Sequence, residues 1–284
     1  MNIPPLVTIG VPLFNEGRFL EKSLEALISQ DYAPIEIIIS DNASTDETAS
    51  ICEQFSHQHD NIEYHRFDQN CGAAANFNYV LKQANGQYFM WASGHDLWSQ
   101  NYISACVESL EKNPTAILAI GSGQWIDETG GVFPRSSGWT DTRGMDVIAR
   151  YFTVLWGNMH PILGLIRRQA LQACPMISAV GADLIILSRL ALIGDFIHVV
   201  NATWSRREFR QEISYQDKLK RYKSNAYGLS TTFLKRLFPL AVLPWELIRA
   251  IVESKHKPWV KVVIVLLLLP TFPIRYVAGK VKPK

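Results

Sequence analysis

Val7-Thr8-Ile9-Gly10-Val11-Pro12-Leu13-Phe14-Asn15-Glu16 is the stretch that decides the fold. Its apolar part, Val7–Leu13, is short, carries β-branched residues and is bounded by prolines, so it reads as a buried strand. Outward from it, Phe19, Leu20, Leu24, Leu27 and Ile28 recur at helical spacing with Glu21, Lys22 and Glu25 on the other side, the pattern of an amphipathic helix. Residues 35–40 predict a second buried strand. Ser44-Thr45-Asp46-Glu47 has the form of a capping box, with Ser44 as N-cap and Glu47 at N3, and starts a second helix. Residues 62–67 predict a third strand, Ala73–Gln83 a third helix and residues 88–92 a fourth strand.

This alternation is that of βαβ units around a mainly parallel, Rossmann-like sheet flanked by helices. Ligands of such sheets bind at the carboxyl ends of the strands. Three polar sets should therefore share one edge: Asn15 and Glu16, then Asp41-Asn42-Ala43-Ser44, then Ser93-Gly94-His95-Asp96. Beyond Asp96 the pattern predicts a helix over 102–110, a strand over Ala116–Ile126, a Gly/Ser/Thr-rich loop over 127–142, a helix over 147–155, an extended segment over 162–166 and a helix over 183–192. A boundary falls near 204–210, giving an α/β domain over 1–210 and a helical tail over 211–284.

The net charge of +2 hides a split. Residues 1–204 hold 11 basic and 21 acidic side chains, whereas 205–284 hold 17 basic and 5 acidic. Such a tail is suited to an anionic surface, nucleic acid or phospholipid. No RNA- or DNA-binding motif accompanies it, so nucleic acid is not expected. Residues 262–274 are uncharged, but Pro270 and Pro273 interrupt them and they fall short of the roughly 20 apolar residues of a membrane crossing. Residues 233–252 carry an apolar face broken by Pro239 and Pro244. The tail reads as a peripheral or monotopic element on an anionic membrane surface, its alternative being a buried or oligomer-forming helix. Cys52, Cys71, Cys106 and Cys174 form no CxxC pair and read as reduced thiols. With no secretory pattern after Met1, the expected location is the cytoplasmic face of the membrane.

Residues 7–96 resemble the family 2 inverting glycosyltransferases, which have the GT-A fold. The resemblance rests on the Val7–Glu16 stretch, on Ser40-Asp41-Asn42-Ala43-Ser44-Thr45-Asp46, on an acidic motif ending at Asp96 and on the later Gly181-Ala182-Asp183. It implies a nucleotide-sugar donor of the UDP or dTDP type, bound by Pro12, Phe14, Asn15, Glu16, Asp41, Asn42, Ser44 and Asp96. Asp41 would meet the base. Arg206, in Trp204-Ser205-Arg206-Arg207, would approach the diphosphate unless it merely forms an exposed basic turn. Asp96 would hold Mg²⁺ or Mn²⁺, which offsets the charge of the leaving group. The family's motif there has a first acid where this chain has Gly94. Asp183 would be the general base that takes the acceptor proton, with Asp195 in reserve. The tail makes a lipid-linked glycan the expected acceptor. Two rivals stand beside this reading: a non-catalytic nucleotide-sugar-binding or scaffold protein, and a sugar-1-phosphate nucleotidyltransferase. The second lacks support, because no Gly-rich loop follows the first strand.

Overall fold

The computed structural model describes residues 4–137, 139–172, 174–179, 181–208 and 242–281. Its elements are β1 (Val7–Leu13), α1 (Gly17–Ile28), β2 (Ile35–Asp41), α2 (Thr48–Gln58), β3 (Ile62–Arg66), α3 (Ala73–Gln83), β4 (Tyr88–Trp91), β5 (Leu97–Trp98), α4 (Tyr102–Lys112), β6 (Ala116–Ile126) and β7 (Val132–Ser137). There follow α5 (Val147–Trp156), a 3-10 turn (His160–Leu163), β8 (Leu165–Arg167), α6 (Arg168–Leu171), α7 (Ala182–Ile193), β9 (Asp195–Arg207), α8 (Val242–Glu253) and α9 (Pro258–Val281).

The mixed α/β class is as expected. One sheet runs β3-β2-β1-β4-β8-β6-β9-β5, with β7 paired to β6. β1 lies inside it, parallel to both β2 and β4. Val7, Ile9, Val11 and Leu13 are fully buried, and Thr8 on the other face is too, as a strand covered on both sides requires. Gly10 is needed here: a Cβ would stand 2.7 Å from the Phe89 ring and 2.8 Å from Val80 of α3. One face of the sheet packs under α1, α2 and α4, and the other under α3 and α7. A third apolar cluster joins α5, α7, α8 and α9 through Tyr151, Leu184, Ile185, Leu247, Ile251, Ile264 and Leu268. Arg167 staples the sheet centre. It donates to the carbonyls of Ala116 (2.8 Å) and Leu110 (2.7 Å) and to the Tyr88 hydroxyl (2.9 Å).

Several local expectations need correcting. α2 begins at Thr48, not after Ser44. Asp46 accepts from Thr48 N (3.1 Å) and Gly17 N (3.0 Å), so one carboxylate satisfies donors at the starts of both α1 and α2. The loop expected over 127–142 contains β7. The segment expected to be extended over 162–166 is divided between the 3-10 turn and β8. Strand β9 begins at Asp195, directly after Gly194 ends α7. Helix α9 continues through Pro270 and Pro273, each of which forfeits one backbone bond without ending it. Pro244 lies in the first turn of α8, where its missing N–H has no intrahelical partner to lose. Among the described residues no helix is long and apolar enough to cross a membrane. The expected boundary between residues 210 and 211, Pro239 and the earlier part of the 233–252 stretch, Lys282 and Lys284 lie outside the described residues.

Asp195 shows how the fold uses a carboxylate structurally. It opens β9, at the edge of the sheet opposite the strand ends that carry the polar loops. It accepts from Arg150 Nη1 (2.7 Å) and from Thr115 Oγ1 (3.1 Å), and both members of the ion pair are 12 % exposed. Removing one partner leaves a desolvated charge. Arg150→Ala should therefore lower the unfolding free energy by about 3 kcal/mol, as read by urea denaturation; an unchanged midpoint would contradict this.

Candidate active site

β1, β2, β3, β4, β6 and β9 share one direction, because β8 is antiparallel to both β4 and β6, and β9 is parallel to β6. Their carboxyl ends therefore form one edge, holding Leu13, Asp41, Arg66, Trp91, Ile126 and Arg207. The three polar sets meet there. Asn15, at φ +54°, donates its N–H to Ser44 Oγ (2.9 Å), and its side chain accepts from Thr45 N (2.9 Å). Asn tolerates this left-handed backbone better than most residues. Asn42 accepts from Cys71 N (2.8 Å), bringing in the loop after β3. Ser44 is thus a clasp between the first two loops and not a helix cap. Phe14 and Asn15 are exposed and Pro12 and Glu16 half-buried, so the outer wall of the edge comes from the first loop.

Asp41 differs from expectation. It has no exposed surface; one oxygen accepts from Ser44 N (2.9 Å), and the other faces Arg66 Nε (3.3 Å) and the Tyr64 hydroxyl (3.3 Å). Arg66, its cross-strand neighbour, also donates to the Ser44 carbonyl (2.9 Å). As placed, Asp41 anchors the turn, and Arg66, half of whose side chain is exposed, is the more accessible member of the pair. Arg66 was missed because an arginine at a strand end carries no motif; only the Asp41–Arg66 register reveals it.

Asp96 is also committed. Its residue is 2 % exposed; one oxygen accepts from Arg207 N (3.0 Å) and the other from Trp204 Nε1 (3.0 Å). Ser23 Oγ donates to the carbonyls of Ser93 (3.0 Å) and Asp96 (2.5 Å), fixing the same turn against α1. Position 94 has no room for an acid, because a Cβ there would stand 2.8 Å from Leu13 and 2.9 Å from Glu16. His95 Nδ1 is bonded to Glu16 at 2.7 Å. A divalent ion wants several oxygen ligands with open lone pairs. Among the described residues no group of three or more His, Cys, Asp and Glu side chains is placed to hold one. The residues at 94–96 thus do not by themselves complete the shell of a protein-held Mg²⁺ or Mn²⁺, and the Asp96 carboxylate, expected as a metal ligand, serves in this structure as a tether for β9.

What the tether positions is a cationic cluster. In the β6–β9 register Trp125 faces Arg206, whose guanidinium lies 4.6 Å from the indole centroid; Arg135, on β7, lies 4.1 Å from it. Such stacking holds a guanidinium while its donors stay available. Arg206 donates to His160 Nε2 (3.1 Å), and the His160 ring stands edge-on to Trp204 at 5.0 Å. Burial, with Arg206 and Arg135 adding to it, pushes the His160 imidazole down to about 4, so it is neutral near pH 7 and can accept. Arg206 is exposed on a strand and is not part of a turn. Asp183 lies in the first turn of α7, the helix on which the His160–Leu163 turn packs, and burial raises its carboxyl above the ordinary range. Asp195 belongs to the far end of β9 and is excluded as a base by position. Trp125 and Arg135 were not anticipated, since nothing in the loop-like composition of 127–142 marks Arg135.

If Asp96 is a tether, its loss must act without any ion. Asp96→Asn offers one acceptor where two donors converge, so Trp204 Nε1 or Arg207 N is left unsatisfied, at a cost of about 1–3 kcal/mol. The expected outcome is a lower denaturation midpoint in chelator-treated protein; an unchanged midpoint would show that the tether is weak.

Residues 8–174, more than half of the chain, match Glycosyl transferase family 2. Glycosyltransferase GlyG of Streptococcus pneumoniae is 29 % identical over 128 residues, 45 % of this chain and 42 % of that protein. The putative glycosyltransferase EpsE of Bacillus subtilis is 33 % identical over 133 residues, 46 % of this chain and 48 % of that protein. The chain thus spans less than half the length of these two relatives. Among solved structures, S. aureus TarS 1–349 in complex with UDP-GlcNAc is similar with a TM-score of 0.67 and 15 % identity, over 93 % of this chain and 71 % of that one. Mannosyltransferase PcManGT from Pyrobaculum calidifontis, in complex with GDP-Man and Mn²⁺, gives 0.54 and 18 %, over 97 % and 81 %. At these identities the likeness establishes the fold, which is GT-A-like. The β1 stretch, the ordered loops at one sheet edge and the match over 8–174 lead to one assignment: this chain belongs to glycosyltransferase family 2.

Proposed function

We propose that the chain moves a sugar from a nucleotide diphosphate of the UDP or dTDP type to an acceptor hydroxyl, with inversion at the anomeric carbon. One observation carries this reading beyond family membership: Arg206, stacked on Trp125 and bonded to neutral His160, presents positive charge at the carboxyl edge of the sheet. A diphosphate leaving group needs such charge. Phe14, Asn15 and Arg66 supply the surface for the nucleoside, with Asn42 and Ser44 holding the loops in place. Asp183 takes the proton from the acceptor hydroxyl. The oxygen lone pair then forms the new bond to the anomeric carbon while the bond to the diphosphate oxygen breaks, and that oxygen keeps the electron pair opposite Arg206. The family and the Mn²⁺ in the mannosyltransferase complex suggest divalent-ion use in general terms. No step is routed through an ion here, because residues 94–96 do not supply its ligands. The same residues favour a second reading, a non-catalytic nucleotide-sugar-binding or scaffold protein. The acceptor in the main reading is a lipid-linked glycan at the cytoplasmic face of a membrane, in keeping with the basic tail.

The test is turnover of a panel of UDP- and dTDP-sugars by purified protein and its Asp183→Asn variant. Loss of a general base typically lowers the rate about 10²–10⁴-fold with little change in donor binding. Because burial raises the Asp183 carboxyl, the acid limb of the rate profile should lie above the ordinary carboxylate range. The sign for stability is opposite to that of a paired carboxylate: the raised folded value favours the protonated form, and stability falls as pH rises through it. Asp183→Asn should therefore be slower and, at neutral pH, more resistant to heat. Normal turnover in the variant would remove Asp183 from the mechanism. No turnover by wild-type protein with any donor that binds would favour the scaffold reading.

A further inference from the structure

Helix α9 is apolar on two opposite faces. Val260, Ile264 and Leu268 are buried at 7 %, 0 % and 0 % exposure and dock it onto the cluster shared with α5, α7 and α8. Half a turn away, Trp259, Val262, Leu266 and Leu269 are 60 %, 56 %, 61 % and 56 % exposed. A helix packed through one side should carry polar residues on the other; here the outer side is apolar. Trp245 on α8 is also exposed. Lys255 and Lys257, in the bend before α9, are exposed at the end that carries Trp259.

We infer that this outer face is a docking surface for an anionic phospholipid bilayer, on which α9 lies in plane. Charge decides the occupant. From residue 254 to 284 the chain has no Asp or Glu and seven Lys or Arg. A second copy placed against this face would bring two like-charged segments together, whereas an anionic leaflet complements them. Trp at the helix start and lysines beside it suit the water–lipid boundary, where amphipathic rings and snorkelling ammonium groups both reside. Because Val260, Ile264 and Leu268 hold the helix to the protein, the mode is in-plane insertion of one face, not a crossing. The inference does not depend on the donor chemistry proposed above.

The experiment is flotation of the full chain with phosphatidylglycerol/phosphatidylcholine vesicles and with phosphatidylcholine alone. Wild-type protein should float with the anionic vesicles and far less with the neutral ones. Added salt should weaken binding only in part, since it screens the lysines and leaves the apolar contribution. Replacing the exposed residues together (Val262→Ser, Leu266→Ser, Leu269→Ser) should reduce partitioning about tenfold or more while the buried stripe keeps the fold. Should that variant misfold, quenching of wild-type tryptophan fluorescence by brominated anionic phospholipid tests the same contact. Wild-type protein that stays soluble and unquenched overturns the inference. So does a triple variant that floats as well as wild type, or a concentration-dependent dimer that the triple variant abolishes. Flotation without donor turnover would leave the bilayer surface standing and count only against the catalytic reading.

Discussion

The carboxylate of Asp96 is the constraint on which the arrangement of the site depends. It is buried between the turn after β4 and the end of β9 and accepts from Trp204 and Arg207 on that strand. The pairing of β5 with β9 runs through the same place, with Leu97 opposite Ser205 and Trp98 opposite Trp204. The Arg207 side chain adds to the tie by donating to the carbonyls of His95 (3.0 Å), Asp127 (2.9 Å) and Glu128 (3.0 Å). With it, Arg206 is fixed opposite Trp125, and His160 is wedged between Arg206 and Trp204. A charge-assisted hydrogen bond in a dry setting is among the stronger ties a protein makes, and it is costly to break from one side.

This changes how the family's chemistry is distributed over the chain. An acid that sequence resemblance casts as an ion ligand serves here to place cations. The cations sit on an indole face, which orients them while giving up few of their donors. Burial is the main reason that the His160 imidazole is held neutral and accepts, and the two guanidinium groups near one indole add to it by disfavouring a proton there. Asp183 follows the same rule: its burial disfavours its own charged form and makes it a stronger proton acceptor.

Much of the fold was legible because it is local. β1, α3 and β6 follow directly from apolar run length and periodicity, and the shared edge follows from the rule that parallel strands deliver their loops to one side. β9 was not legible because its pattern is broken: the register with β6 slips between Gly121 and Ser122, so residues 200–202 are left out of the pairing and alternation fails. Ser44 misled because its capping-box spacing is real but its hydroxyl is taken by Asn15 N, a partner 29 residues away. Asp41 and Asp96 were recognisable as special, yet not as buried; burial depends on Arg66 and Trp204, which only the folded register supplies. The role of Gly94 was hidden for the same reason, since Leu13 and Glu16, which exclude a side chain there, belong to the end of β1 and the loop after it.

The central claim is that Asp96 acts on the donor through β9 and not through an ion. Its most direct test is the affinity of UDP for wild-type protein and for Asp96→Asn, measured by titration calorimetry in excess EDTA and again with Mn²⁺. The account predicts weaker UDP binding by the variant in EDTA, with a similar deficit when Mn²⁺ is added. Equal affinities in EDTA, with a deficit that appears only when Mn²⁺ is present, would contradict it and return Asp96 to the role of metal ligand.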